Sequence, residues 1–248
     1  MKQNWKTVTC FLMAISLTAL LVIRGQKQSK NEDQPDVTKF PIAEYATRIA
    51  TALTEKQKAR RKKYNSRYAP VISEASDKIF LVSDWDLRLP ALPVARSAAV
   101  IIGEITDAQA QLSEDQTKIY SEFVVQINEV LKNDARAPLG VGKSVIVERS
   151  GGRVRFPSGK IVVSSTNHQD LPRIGKRYVL FLTHESPNGD DSEDFTILTG
   201  YELCDGQVFP LDKPVSGHPI MTYKGTSETS LLNDLVVALA NPSLSQSK

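Results

Sequence analysis

Residues 137–152 read APLGVGKSVIVERSGG, and the conformation of the half that follows Lys143 decides the fold. Ala137-Pro138-Leu139-Gly140-Val141-Gly142-Lys143-Ser144 satisfies the loose phosphate-loop pattern of Ala or Gly, four residues, Gly-Lys, then Ser or Thr. Such a loop works because its amides and lysine surround the phosphates at the start of a helix, while Ser or Thr holds Mg²⁺. Strand, loop and helix must follow one another. Here Val145-Ile146-Val147-Glu148-Arg149-Ser150 is β-branched and alternating, and Gly151-Gly152 stops it after six residues. A helix of useful length does not fit. The one Walker-B-like run, Ile79-Phe80-Leu81-Val82-Ser83-Asp84, precedes the loop, the wrong order for the usual fold. The segment reads as a Gly-rich turn feeding a strand, with Lys143 on the surface.

Working outward, the same period of two recurs. Ala99-Val100-Ile101-Ile102-Gly103-Glu104-Ile105 is β-branched, with a Gly where a bend or bulge sits. Leu112–Thr117 is a polar loop, and Phe123, Val125 and Ile127 then alternate with Val124, Gln126 and Asn128. Downstream, Val154–Phe156 and Ile161–Val163 flank the turn Pro157-Ser158-Gly159. Tyr178-Val179-Leu180-Phe181-Leu182 is apolar on both faces, which predicts a central strand. Tyr201–Cys204 and Val208–Phe209 flank Asp205-Gly206, a hairpin dipeptide. Leu231, Leu232, Leu235, Val236 and Leu239 form one helical stripe, capped by Thr226 or Ser227 and ended at Asn241-Pro242. The pattern predicts a mainly β fold, a small antiparallel barrel or sandwich over 95–225, with a C-terminal helix and tail over 226–248 covering one end or face.

Before this domain the reading changes. Thr7–Ile23 is TVTCFLMAISLTALLVI, seventeen residues without a charge, after Lys2 and Lys6. That length is the lower edge for a membrane span and long for a signal-peptide core. Residues 1–25 are therefore a signal peptide or an uncleaved anchor, with the inner membrane as partner of residues 7–23. Basic flanks are nearly balanced, Lys2 and Lys6 against Arg24, Lys27 and Lys30, so orientation rests on the secreted look of the β-domain. Residues 26–94 read as a linker carrying an amphipathic basic helix. Ile42, Tyr45, Ala46, Ile49 and Leu53 lie on one helical face, and the basic cluster 56–63 (Lys56-Gln57-Lys58-Ala59-Arg60-Arg61-Lys62-Lys63) follows. A solvated helix end suits these cations first, anionic lipid second and nucleic acid third. Residues 64–97, with Pro70, Pro90 and Pro93, read as an irregular connector with a short strand at Ile79–Val82.

The stretches Val100–Ala108, Tyr120-Ser121-Glu122-Phe123 to Glu129-Val130-Leu131-Lys132, Arg149-Ser150-Gly151-Gly152 and Gly175-Lys176-Arg177-Tyr178-Val179-Leu180-Phe181-Leu182 resemble a group of uncharacterised exported bacterial proteins, frequent in acidobacteria, over roughly residues 95–210. The pattern is also similar to netrin-like domains of the OB-fold type. Those domains usually carry disulfides, and Cys204 is the only thiol here outside the apolar run that holds Cys10. The resemblance implies export and a barrel-like core, not an activity.

The chain has 248 residues, 31 Lys and Arg against 28 Asp and Glu, and 41% apolar residues, which excludes collagen, a polytopic membrane protein and a disordered tail. A net charge of +3 is too small to argue for a nucleic-acid partner. His168, His184 and His218 have no metal-ligand spacing. No Gly-x-Ser-x-Gly elbow occurs. Asp190-Asp191-Ser192-Glu193-Asp194 fails the EF-hand pattern at Phe195 and Tyr201 and reads as a solvated loop. Arg149, Arg153 and Arg155 lie around a β-turn and read either as a basic surface strip or as ordinary strand-edge charge that discourages aggregation. No catalytic, cofactor or metal residue is assigned. The expectation is an exported or membrane-anchored, non-enzymatic β-domain that binds a protein or envelope component through the loops Gly151–Gly159 and Asn188–Asp194. Its rivals are an envelope hydrolase using His168 or His184, and an OB-type nucleic-acid binder.

Overall fold

A computed structural model describes residues 36–45, 53–76, 79–84, 86, 88–185, 191–214 and 216–241. In chain order it contains β1 (Ile42–Glu44), α1 (Glu55–Lys63), β2 (Ile79–Asp84), β3 (Ala99–Leu112), β4 (Ile119–Lys132), β5 (Ser144–Ser150), β6 (Gly152–Arg155), β7 (Ile161–Asn167), β8 (Arg177–Glu185), β9 (Asp191–Cys204), β10 (Gln207–Pro210) and α2 (Glu228–Ala240). The protein is mainly β. Strand β5 begins at Ser144, directly behind Lys143, so the phosphate-loop look-alike feeds a strand and not a helix.

Six strands run in the order β10-β9-β5-β4-β3-β8, and β8 also pairs with β9, nearly closing the sheet into a ring. All its pairings are antiparallel except β5 with β9, which are parallel and share two residue pairs, Val147↔Phe195 and Glu148↔Thr196. Period-two alternation sends Ile101, Phe123, Val125, Val147, Leu180 and Ile197 to one interior core. The β3–β4 register shifts at Ile102/Gly103, where a Cβ on Gly103 would stand 2.5 Å from Val125 Cγ1. Glycine is therefore required there to let the two strands approach through the bend. Asp205 (φ 53°) and Gly206 (φ 75°) form the two-residue turn that pairs Cys204 with Gln207, as the dipeptide predicts.

A second, mixed sheet has the order β1-β6-β7-β2, with β1 parallel to β6 and β2 parallel to β7. It packs on the distal half of the β3–β4 hairpin through Val154, Phe156 and Val162 against Ala110 and Ile119, with Ile72 of the segment between α1 and β2 in the same cluster. Here the helical expectation for Ile42–Leu53 is corrected. Ile42–Glu44 is a strand with Ala43 opposite Val154, and residues 46–52 lie outside the described residues. Spacings of three and four residues cannot distinguish a helix face from a three-residue strand when a partner edge exists elsewhere.

Two helices cover the outside of the ring. α2 starts at Ser227, whose side chain accepts from the Ser230 amide, and ends on Asn241. Its Leu231 and Leu235 are buried with Val100, Val179, Phe181 and Tyr201. Val236, expected on the same stripe, is 61% exposed. The expected connector is irregular after β2, yet Leu89 and Val94 are buried in this same cluster. α1 carries a reciprocal Thr54–Gln57 capping box, and just past its end Tyr64 stacks on Tyr120 of β4 at 4.1 Å. No helix among the described residues is long and apolar enough to cross a membrane; residues 7–23, the expected anchor, lie outside the described residues.

Candidate functional site

On β5 Val147 faces the interior, so Glu148 faces outward. Register places Glu122 of β4 beside it on one side and Thr196 of β9 on the other. Asp194 lies two residues earlier on β9 and extends this acidic row. α1 lies over it with the cations Lys56, Arg60 and Lys63. Arg60 is bidentate on Asp194, at 2.9 Å from Nε to Oδ2 and 2.9 Å from Nη2 to Oδ1, and reaches Glu148 at 3.3 Å and Glu122 at 3.7 Å. Lys63 Nζ donates to Glu148 Oε2 at 2.8 Å, and the Tyr64 hydroxyl donates to the same oxygen at 3.2 Å. The expectation of a solvated basic end therefore holds at Lys56 and Lys58 and fails at Arg60, which is 6% exposed. Burial holds the Glu148 and Glu122 carboxyls above their ordinary range despite the cations beside them. Burial also pushes Asp194 upward, but its bonds to Arg60 and Lys56 outweigh this and lower it.

Beside this cluster the ring opens. β5 and β9 pair only from Val147 and Phe195 onward. Ahead of that point lies an open groove of about 350 Å³. Its walls are Ser144, Val145 and Ile146 of β5, Asp194 and Phe195 of β9, the turn residues Ala137–Leu139, and Lys56 and Arg60 of α1. Four segments make this site, and of their residues the expected contact loops include only Asp194. One signal was available: Lys56, Arg60 and Tyr64 repeat at four-residue spacing, one face of a helix that ends in an aromatic.

The other singled-out residues occupy separate settings. His168 has a positive φ of 64°, and its Nδ1 lies 3.0 Å from the Lys213 carbonyl oxygen. His184 is buried on β8, with Nε2 2.6 Å from Asp134 Oδ2 and its ring stacked on Phe195 at 4.5 Å. Among the described residues the buried Nδ1 of His184 has no hydrogen-bond partner. His218 caps the 3₁₀ turn Pro219–Tyr223 by accepting from the Ile220 amide. No group of three or more His, Cys, Asp or Glu among the described residues could hold a metal ion. The basic strip expected from Arg149, Arg153 and Arg155 does not exist as such. Arg149 is 1% exposed and donates to Asp212 Oδ2 at 2.8 Å and to the Asp170 carbonyl at 2.6 Å. Arg153 donates to the Phe40 carbonyl, and Arg155 pairs with Glu44. Of the expected contact loops, Gly151 and Gly152 are buried and Pro157–Gly159 is an exposed hairpin tip, while residues 188–190 lie outside the described residues. Asp194, expected in a solvated loop, is tied to Arg60 and Lys56. Cys204, at the end of β9, is free and partly exposed, and its bond to Asp205 pushes the thiol up.

No family model matches the chain, and no curated protein matches it significantly.

Proposed function

We propose that the protein is a non-enzymatic binding module of the bacterial envelope, exported or anchored through residues 7–23, whose ring is of the OB or netrin-like type and whose partner is a protein or envelope component. The ring strands β3, β4, β5, β8 and β9 stand in the order first-second-third-fifth-fourth, with a parallel contact between third and fifth. That is the order of OB barrels, and it supports the resemblance to this class. The observation that carries the binding reading is the open groove at the third–fifth contact, flanked by charge that is already neutralised from within the chain. An OB-type nucleic-acid binder uses the outer face of its second and third strands. Here that face carries Glu122 and Glu148 beneath α1, which disfavours a polyanion.

The hydrolase reading retains one observation, the short contact between His184 and Asp134. A nucleophile at Nδ1 would complete such a set, and that nitrogen has no partner among the described residues. Fractionation of a cell expressing the full chain with a C-terminal tag, with mass spectrometry of its N-terminus, tests the proposal. The protein is expected in the envelope or periplasm. Full-length protein free in the cytosol overturns it.

A further inference from the structure

The geometry points to the open seam between β5 and β9 as a docking site for one extended, acidic strand of a partner protein. This rests on the binding-module reading and names the surface and the chemistry of the partner.

Three observations converge on it. The first is the sheet edge. Ser144, Val145 and Ile146 pair with β4 on one side, opposite Gln126, Val125 and Val124, and among the described residues β5 pairs with β9 only from Val147 onward. An unpaired edge presents amides and carbonyls at strand spacing, which is the chemistry that recognises another extended backbone. Three residues of edge span roughly 10 Å, a length suited to a short strand. Natural edges are usually blunted by charge, proline or a bulge; Ser144-Val145-Ile146 has neither charge nor proline, with Lys143 only at its start.

The second is the lining. Leu139, Val145, Ile146 and Phe195 supply apolar contacts within a lining that is otherwise largely polar. Ile146 is 37% exposed, and Val141, in the adjoining turn, is 64% exposed. Val145 and Ile146 face opposite sides of β5, so alternate side chains of an inserted strand would meet Val145 on one side and Ile146 on the other.

The third is charge. Two cations, Lys56 and Arg60, and one carboxylate, Asp194, line the groove. Arg60 is committed to buried carboxylates. Lys56 shares Asp194 with it at 3.1 Å and keeps 63% of its side chain exposed. An acidic residue on the partner strand meets Lys56 at the rim, whereas a basic one is repelled. The walls thus select an extended segment bearing an acidic side chain.

The experiment is a selection from a naive displayed decapeptide library on the full chain in detergent, repeated on Ile146→Lys and Lys56→Glu. Both substituted side chains are exposed, and circular dichroism checks that each variant keeps the parent spectrum. Peptides rich in β-branched residues with an acidic position are expected. Their binding should weaken about tenfold or more in Ile146→Lys, and N-methylation of alternate backbone amides should abolish it, because edge pairing needs those donors. Lys56→Glu should exchange the acidic preference for a basic one. Enriched peptides that bind Ile146→Lys equally well overturn the seam as the site and leave the binding-module reading standing. No enrichment on any of the three proteins overturns the strand-docking site, while the binding-module reading stands or falls with the fractionation. Concentration-dependent dimers abolished by Ile146→Lys overturn the partner-strand assignment in favour of a second copy of this chain.

Discussion

The two helices that cover the ring use unlike chemistry on the same sheet. α2 lays Leu231 and Leu235 on Val179, Phe181 and Tyr201, an apolar contact that needs no particular partner atom. α1 lays Arg60 and Lys63 on Glu122, Glu148 and Asp194, where each charge is held in place by its opposite. Apolar cover tolerates small shifts and loses stability in proportion to the area and cavity exposed. A buried ionic cover is weak evidence for stability, because desolvation cancels much of its attraction; removing one partner is costly because it strands the others. The lesson is that the α1 cover is brittle to single changes in charge, and the α2 cover is graded in size.

Arg60→Ala should have the largest effect. Removing it leaves three carboxylates around a vacated cation site, and the loss should be about 3–5 kcal/mol. Urea unfolding measures it, and amide exchange should show residues 55–64 opening first. Unchanged exchange in that segment would put the two covers on equal terms. Leu235→Ala, fully buried in α2, should cost about 3 kcal/mol through a cavity. It should lower the urea midpoint without selective exchange in α1.

The pH response sharpens the contrast. Glu148 and Glu122 titrate above their ordinary 4.5 in the folded chain. Their contribution is thus present in full below 4.5 and is lost as pH rises through the raised values. Asp194 titrates below its ordinary 3.8. Its contribution is present above 3.8 and is lost as pH falls through the lowered value. The α1 cover should therefore be tightest in mild acid and loosen toward neutrality, and Glu148→Gln should flatten the rise above 4.5. Exchange in residues 55–64 between pH 5 and 8, corrected for intrinsic rates, reads this directly. A cover that tightens with rising pH would contradict the burial argument.

Lys56→Ala marks the lower end of the scale. Its ion pair with Asp194 is largely exposed, so the loss should be about 0.5 kcal/mol or less and should fade in high salt. A loss as large as that of Arg60→Ala would make the exposed and buried cations equivalent.

Legibility followed the range of the interactions. β5, the Asp205-Gly206 hairpin and α2 each depend on neighbours within a few residues, and each was readable from alternation, turn chemistry or capping. Arg60 was not, because its bidentate partner lies 134 residues away, and the Lys63 partner lies 85 away. A run of lysine and arginine looks the same in sequence whether solvated or seated on carboxylates. Arg149 misled for the same reason. Its alternation position points inward, but only Asp212 and Thr199 show that a charge can be accommodated there. Burial raises the Asp212 carboxyl against the pull of Arg149, so that accommodation depends on the pairing itself.

By itself the sequence determined the mainly β class, the strand behind Lys143, the apolar run at residues 7–23 and the C-terminal helix, because each is written in periodicity or local backbone preference. Only the tertiary structure decided that β5 and β9 meet in parallel for two residue pairs, that a basic helix sits on an acidic sheet face, and that a groove opens between them. These depend on which distant edges and charges come together, and no local pattern encodes that choice.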